Sequence, residues 1–299
     1  MTKTIYALGF FDGVHIGHGA LLKACRELAA QHGCKAGVVT FDSHPQAVVG
    51  GNAPGLICSV SDRERLFREK YHMENVVTLP FDENLRSKHW QDFLDMLQQE
   101  YSAAGFVCGV DFRFGNRGQG NASLLEEYCQ QRNFPFVKIS QQLLDGIRVS
   151  STYIRKQIET GDMATAVRFL GHPHILTGTV IPGKQLGRTL GIPTANLQLP
   201  ENLVVPRFGV YACRVQLDGI YYPAVTNIGI RPTVSGSGIT VEPWILDYNG
   251  DLYGREITLE FFHFLRPEQK FPSLEALKQE IHANARQSRE LLKTYENMY

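Results

Sequence analysis

Two histidines separated by Ile-Gly, at the place where a strand-like run gives way to a helix, are well suited to hold an anion. They occur in YALGFFDGVHIGHGALLKA, Tyr6 to Ala24, as His15-Ile16-Gly17-His18. The apolar run closes at Phe10-Phe11, turns through Asp12-Gly13 and delivers His15 and His18 to the first turn of the following helix. Backbone N–H groups without intrahelical partners, together with the positive end of the helix dipole, favour negative charge there. Gly17 leaves the backbone open to close approach. Two imidazoles can donate hydrogen bonds to phosphoryl oxygens as charge builds in a transition state, with no covalent intermediate. The same tetrapeptide also serves simply to cap a helix, and alone it does not choose between the two.

Other stretches carry comparable chemistry. Val149-Ser150-Ser151-Thr152-Tyr153-Ile154-Arg155 puts hydroxyls at a helix start and Arg155 one turn on, which suits phosphate and equally suits an ordinary cap. Gly109 to Gly118, GVDFRFGNRG, follows a strand-like run with polar and aromatic residues interleaved, or is a glycine-rich turn with one exposed salt bridge. Thr40-Phe41-Asp42-Ser43-His44-Pro45 ends another such run. Farther on, GKQLGRTLGIPTANL, Gly183 to Leu197, opens with glycines whose amides could wrap phosphates. It closes with Thr194 and Asn196, which extended geometry places on one side. Neutral oxygens suit a Mg²⁺ that keeps waters and takes its charge partners from ATP phosphates; a turn followed by a polar strand face is the plainer reading.

The elements that must position these residues can be read from periodicity. Strand-like runs at Ile5–Phe10, Ala36–Phe41, Val76–Phe81, Phe106–Val110 and Phe136–Ile139 alternate with helical segments at Ala20–Gln31, Asp62–Lys70, His89–Tyr101 and Leu124–Gln131. The second of these helices is expected to open on the capping box Ser61-Asp62-Arg63-Glu64. This order predicts right-handed βαβ units and a doubly wound parallel α/β sheet, whose ligands bind beyond the carboxyl ends of the strands. Short helices at Thr152–Glu159 and Met163–Phe169 lead to Gly171-His172-Pro173-His174, where the rhythm changes. Ile175–Ile181, Gly209–Leu217, Tyr221–Asn227, Thr240–Asp247 and Glu256–Phe264 predict an antiparallel β-barrel. A C-terminal helix from Ser273 towards Tyr295 carries Leu274, Leu277, Ile281 and Leu291 on the face expected to pack. The expected domains are residues 1–172 and 173–299.

Bulk properties narrow the function classes. Over 299 residues, 43% apolar and 20% charged, two globular domains are the natural expectation, and no run approaches a membrane span. Thirty basic and 30 acidic residues cancel, which gives no footprint for nucleic acid or anionic lipid. Six cysteines without a CxxC pair do not resemble a zinc site or a disulfide framework. With no signal peptide visible, a cytoplasmic protein is expected.

Taken in order, GFFDGVHIGH, TFDSHP, GVDFRFG and VSSTYIR resemble the HxGH nucleotidyltransferases, specifically the bacterial bifunctional riboflavin kinase/FMN adenylyltransferase (FAD synthetase) family. GRTLGIPTANL, FGVYA, NIGIRPT, VEPWILD and DLYGREI extend the resemblance through the second half. It implies that His15 and His18 contact ATP phosphates beside Gly17, that Ser151, Thr152 and Arg155 hold leaving pyrophosphate, and that Asp111 and Phe112 lie by the flavin nucleotide. In the second half it implies an ATP site of Gly183, Lys184, Gly187, Arg188, Asn227, Arg231 and Thr233, metal contact through Thr194 and Asn196, and Glu242 as the base for the riboflavin 5′-hydroxyl. Arg266 and Phe271 would lie towards the flavin. Riboflavin, FMN, FAD, ATP, ADP and pyrophosphate are the implied small molecules, with Mg²⁺ accompanying ATP, no nucleic acid or membrane partner, and an open oligomeric state.

Three residues depart from the family pattern: Ser43 where proline is usual, Pro243 directly after Glu242, and Asn284 where an acidic residue is general. Pro243 lacks an N–H and suits an edge strand or a bulge. Other HxGH enzymes, such as nicotinamide- or pantetheine-type adenylyltransferases and aminoacyl-tRNA synthetases, do not account for GIPTANL with NIGIRPT, and a KMSKS-like loop is absent. A nucleotide sensor without catalysis is disfavoured because Glu242, Thr194 and His18 are all present.

Overall fold

The computed structural model describes residues 2–44, 53–183, 187, 191–233 and 236–295, with the backbone alone for 231–233, 236 and 237. Its contacts divide the chain into two compact units, residues 1–54 with 60–150 and residues 55–59 with 151–299.

In the first unit β1 (Thr4–Leu8) lies between β2 (Lys35–Phe41) and β4 (Ala103–Gly109), with β3 (Asn75–Leu79) beyond β2 and β7 (Phe136–Ile139) beyond β4. All four pairings are parallel. The strand order reverses about β1, so the carboxyl ends of β1 and β4 form the crevice where such sheets take ligands. Two residue pairs, β5 (Arg113–Phe114) and β6 (Gly120–Asn121), form a small ribbon past β4. After the short α3 (Glu83–Ser87), α4 (Trp90–Tyr101) and α5 (Ala122–Arg132) cover one sheet face, in a core that includes Leu8, Phe93, Phe106 and Leu125. Each of these side chains contributes roughly 1.5–3 kcal/mol by leaving water. Gly37 on β2 is required by close packing, since a Cβ there would lie 2.5 Å from the Tyr6 ring.

The five expected strands are present, but the helix starts differ: α4 begins one residue later than expected and α5 two earlier, and the other two of this unit also start early. Helix α1 runs Ile16–Gln31, four residues earlier than the expected Ala20, because the His15 side chain itself caps it. Helix α2 (Val60–Arg65) begins before Ser61, which puts Ser61 inside the first turn rather than at the expected N-cap. Glu64 accepts a hydrogen bond from the Thr78 hydroxyl on β3. A π-helical turn, Leu66–Lys70, then carries the chain to Tyr71, whose N–H donates to the Leu66 carbonyl.

In the second unit α6 (Ser151–Thr160) and α7 (Met163–Leu170) precede the barrel. Its strands are β10 (His174–Ile181), β11 (Asn196–Gln198), β12 (Gly209–Leu217), β13 (Ile220–Thr233), β14 (Gly236–Ile245) and β15 (Glu256–Arg266). The ladder runs β11-β10-β15-β12-β13-β14. Its ends meet where the Ala195 N–H donates to the Pro243 carbonyl at 2.9 Å. Proline therefore falls on a terminal strand of the ladder, as its missing N–H requires. The β13–β14 hairpin is longer than expected: its pairing continues through Ile230↔Ile239 to Thr233↔Gly236. Ile230 and Ile239 are each 49% exposed, so neither face gives that stretch the alternating signature of a half-buried strand.

The last helix, α8 (Leu274–Lys293), is capped by the Ser273 hydroxyl, which accepts from the Ala276 N–H. Leu274 does not join the packed face; it is 69% exposed, one residue inside the helix start. The buried positions are Asn284, Ala285, Ser288 and Leu292, and the Ser288 hydroxyl donates to the Ala224 carbonyl.

His174, the first residue of β10, is fully buried, and neither ring nitrogen has a hydrogen-bond partner. Burial, reinforced by nearby His172, pushes its pKa down from 6.5 to about 3. Below pH 6.5 the unfolded chain therefore binds a proton that the folded chain refuses. The contribution is intact above pH 6.5 and declines by about 1.4 kcal/mol per pH unit as the pH falls towards 3. His174→Leu should thus flatten the acid-side loss of stability. Thermal melts of variant and wild type at pH 7.5 and pH 5 test this, and equal losses would refute it.

Candidate active sites

At the carboxyl end of β1, Phe11, Gly13 and Val14 all adopt positive φ, at 58°, 73° and 39°. This sharp turn sets His15 at the N-cap of α1, where its Nδ1 accepts the His18 N–H at 3.2 Å. A neutral His15 must then carry its proton on Nε2. The two imidazoles stack at 3.5 Å and 14°. Gly17 permits the arrangement, since a Cβ there would press to 3.2 Å against the His15 ring. His18 is half-buried with its Nδ1 inside, edge-on to Phe11. Its pKa is held well below the usual imidazole value, first by burial, then by His15 and Arg63. The pair thus presents neutral donors at a helix N-terminus.

Arg63 is a residue the sequence reading passed over. Its side chain, fully buried, reaches from α2 to the carboxyl ends of β1 and β2. There Nη1 donates to the Phe10 carbonyl at 2.9 Å and Nη2 to the Phe41 carbonyl, and the guanidinium lies 4.7 Å from the Phe10 ring centroid. One permanently charged group thereby fixes two strand ends and biases His18. Nothing local signals this, because Arg63 stands in the charged run Asp62-Arg63-Glu64-Arg65 and looks solvent-facing.

Asp111 and Phe112 follow β4, at the same edge of the sheet. Asp111 is ion-paired with Arg148 at 2.7 Å, and Phe112 stacks with Phe114 at 5.3 Å and 18°. Arg148, on the short strand β9 (Ile147–Arg148) paired with β8 (Leu143–Leu144), was also absent from the expected site. Ser151, Thr152 and Arg155 open α6, in the second unit. Arg155 is buried and its Nε donates to the Gly55 carbonyl at 2.8 Å.

In the barrel the two oxygen donors lie against glycine backbone. A Cβ on Gly183 would come within 2.1 Å of Asn196 Nδ2, and one on Gly187 within 2.2 Å of the Ile192 carbonyl and 3.3 Å of Thr194 Oγ1. A cavity of about 340 Å³ is lined by Gly187, Thr194, Ala195, Pro243, Tyr248 and Asp251 among others. A second, of about 240 Å³, is lined by Thr194, Asn227, Glu242, Trp244, Arg266 and Phe271 among others. Both reach Thr194, and β14 sends Glu242 to one and Pro243 to the other, as strand alternation dictates. Asn227 pairs with Glu242 across the β13–β14 ladder and donates to Glu268 at 3.3 Å. Lys184 and Arg188 lie outside the described residues, and the side chains of Arg231 and Thr233 are not described. Among the described residues no group of three or more His, Cys, Asp or Glu is arranged to hold a metal, and no helix is long and apolar enough to cross a membrane.

The family model for FAD synthetase matches residues 1–153, and the one for riboflavin kinase matches residues 170–292. A bifunctional riboflavin kinase/FMN adenylyltransferase from Pseudomonas fluorescens is 38% identical, covering 96% of this chain and 92% of its own. The protein of that name from Escherichia coli K12 is 35% identical, covering 93% and 89%. A crystal structure described as a macrolide-efflux protein from Streptococcus pneumoniae shares the fold, with a TM-score of 0.86 at 28% identity over 96% of this chain and 94% of that one. With matched models in both halves and relatives aligned almost end to end, the chain belongs to the bifunctional riboflavin kinase/FMN adenylyltransferase family.

Proposed function

We propose that the chain makes FAD from riboflavin in two ATP-dependent steps at separate sites. The barrel transfers the γ-phosphoryl group of ATP to the riboflavin 5′-hydroxyl, giving FMN and ADP. The parallel-sheet unit joins the FMN phosphate to the α-phosphorus of a second ATP, giving FAD and pyrophosphate. Functional domains of 1–172 and 173–299 and a cytoplasmic location go with this reading.

The observation that carries it is a junction at Thr194, which lines both cavities and shares the smaller one with Glu242. Nucleotide occupies the larger and flavin the smaller, so that transfer crosses the junction. Glu242 takes the hydroxyl proton, and Asn227 stands opposite to orient it. The glycine backbone at Gly183 and Gly187, with Lys184, Arg188, Arg231 and Thr233, holds phosphates. Phosphoryl transfer is chiefly positioning plus charge stabilisation, so these modest groups suffice. Thr194 and Asn196 are neutral oxygen donors and fit Mg²⁺, which prefers to keep waters and share its site with ATP phosphates. When bound, the ion neutralises phosphate charge.

In the other unit, His15 and His18 donate to ATP phosphates as the α-phosphorus is attacked, each neutral ring through its one N–H. Asp111 and Phe112 meet the flavin nucleotide. Ser151, Thr152 and Arg155 take the pyrophosphate, an assignment that rests on their motif. Purified chain given riboflavin, Mg²⁺ and ATP labelled at either the α- or the γ-phosphorus should yield γ-label in FMN and both labels in FAD. Absence of label from both flavins in folded protein would end this reading.

A further inference from the structure

The flavin-side cavity holds a hydrogen-bonded group that no role above requires. Arg266 ends β15 and lines the cavity near Phe271, whose ring centroid is 5.4 Å from the guanidinium carbon. Its Nε donates to Asn284 Oδ1 at 3.0 Å and stands 3.2 Å from Glu280 Oε1. Nη1 donates to the Pro267 carbonyl at 3.1 Å. Asn284 Nδ2 in turn donates to the same Glu280 Oε1 at 3.0 Å, which closes a ring of three side chains.

Glu280 and Asn284 are one helical turn apart on α8 and divide the task between them. Asn284, 4% exposed, supplies a directed but neutral acceptor. The carboxylate of Glu280 supplies the charge that a guanidinium withdrawn from water needs. Burial acts against the charged form of Arg266, and Glu280 is the strongest opposing influence, ahead of Glu268. Without that charge only the neutral acceptors Asn284 and Pro267 would hold a long, rotamer-rich side chain, and less firmly.

We propose that Glu280 is a positioning residue of the kinase site, fixing Arg266 beside Phe271 so that the two present a rigid polar and aromatic edge to a flat heteroaromatic substrate. The proposal rests on the kinase reading of this cavity. Its distinguishing feature is that charge can be moved within the ring: Asn284→Asp puts a carboxylate on the atom that already receives Arg266 Nε.

The test uses the full chain, measuring riboflavin phosphorylation at saturating Mg-ATP, riboflavin affinity by quenching of Trp244, which lines the same cavity, and FMN adenylylation as an internal control. Glu280→Gln should raise the riboflavin KM and Kd about tenfold, as expected for loss of one partly buried ion pair, with kcat within about twofold. Combining it with Asn284→Asp should bring both constants back to within about threefold of wild type. Glu275→Gln, on the same helix but outside the ring, should change neither. Unchanged constants in Glu280→Gln, or a double variant no better than the single, would overturn the proposal. A wild-type chain that makes no FMN would instead overturn the kinase reading itself.

Discussion

Glu242→Gln should lower riboflavin phosphorylation by about 10²–10⁴-fold while FMN adenylylation by the same sample stays within about twofold. The substitution keeps the shape of the side chain and its reach into the flavin-side cavity, and removes only the basicity. Asn227 opposite it and Thr194 at the junction stay in place, so substrate should still bind. Riboflavin KM should therefore change far less than kcat, the pattern expected when an interaction made only in the transition state is lost. Separate assays starting from riboflavin and from FMN measure the two steps. Equal loss of both in a folded protein would show that the two reactions do not have separate sites.

His18→Ala should produce the opposite separation. Adenylylation is expected to fall about 10²–10³-fold, the usual cost of one donor aimed at developing charge. Phosphorylation of riboflavin should persist, since the barrel retains its own machinery. The wild-type adenylylation rate should show no loss from His18 protonation until the pH is well below 6.5, because burial, His15 and Arg63 all oppose the charged ring. A rate profile that broke near pH 6.5 and lost that break in His18→Ala would contradict the neutral-donor role.

The sequence reveals strand positions in the parallel unit because β1, β2 and β4 are largely buried on both faces and read as apolar runs, and the half-buried outer strands β3 and β7 still carry mostly apolar residues. It is less informative about helix starts. At α1 the residue that decides the start is His15, whose ring acts as the cap, and propensity alone does not assign that role to histidine. Ser61 and Glu64 have the spacing of a capping box, yet α2 begins at Val60 and Glu64 is drawn to Thr78. Long-range bonds of this kind leave no local trace. The hairpin beyond Asn227 was invisible for another reason: Ile230 and Ile239 are half exposed, so no buried face imposes alternation.

The chemical residues were legible to different degrees. His15, Gly17 and His18 announce themselves by spacing, and the structure supplies the stacking of the two rings and the cap that His15 forms. Thr194, Asn196 and Glu242 are named by motif, and folding brings Thr194 and Glu242 to a common junction across nearly fifty positions of chain. Arg63, Arg148 and Glu280 were not legible. Each is a charged residue in an ordinary polar setting, and its meaning lies in a partner far away: Phe10 and Phe41, Asp111, and Arg266.

The hydrogen bond from Ala195 to Pro243 joins the two ends of the barrel's ladder. Ala195 lies between Thr194 and Asn196, and Pro243 adjoins Glu242. Closing that seam therefore also brings together the residues to which the proposed reaction gives phosphate and proton. A half-wound barrel would have its would-be base and its oxygen donors on separated ribbons, so an immature chain emerging during synthesis would carry no working kinase centre with which to squander nucleotide.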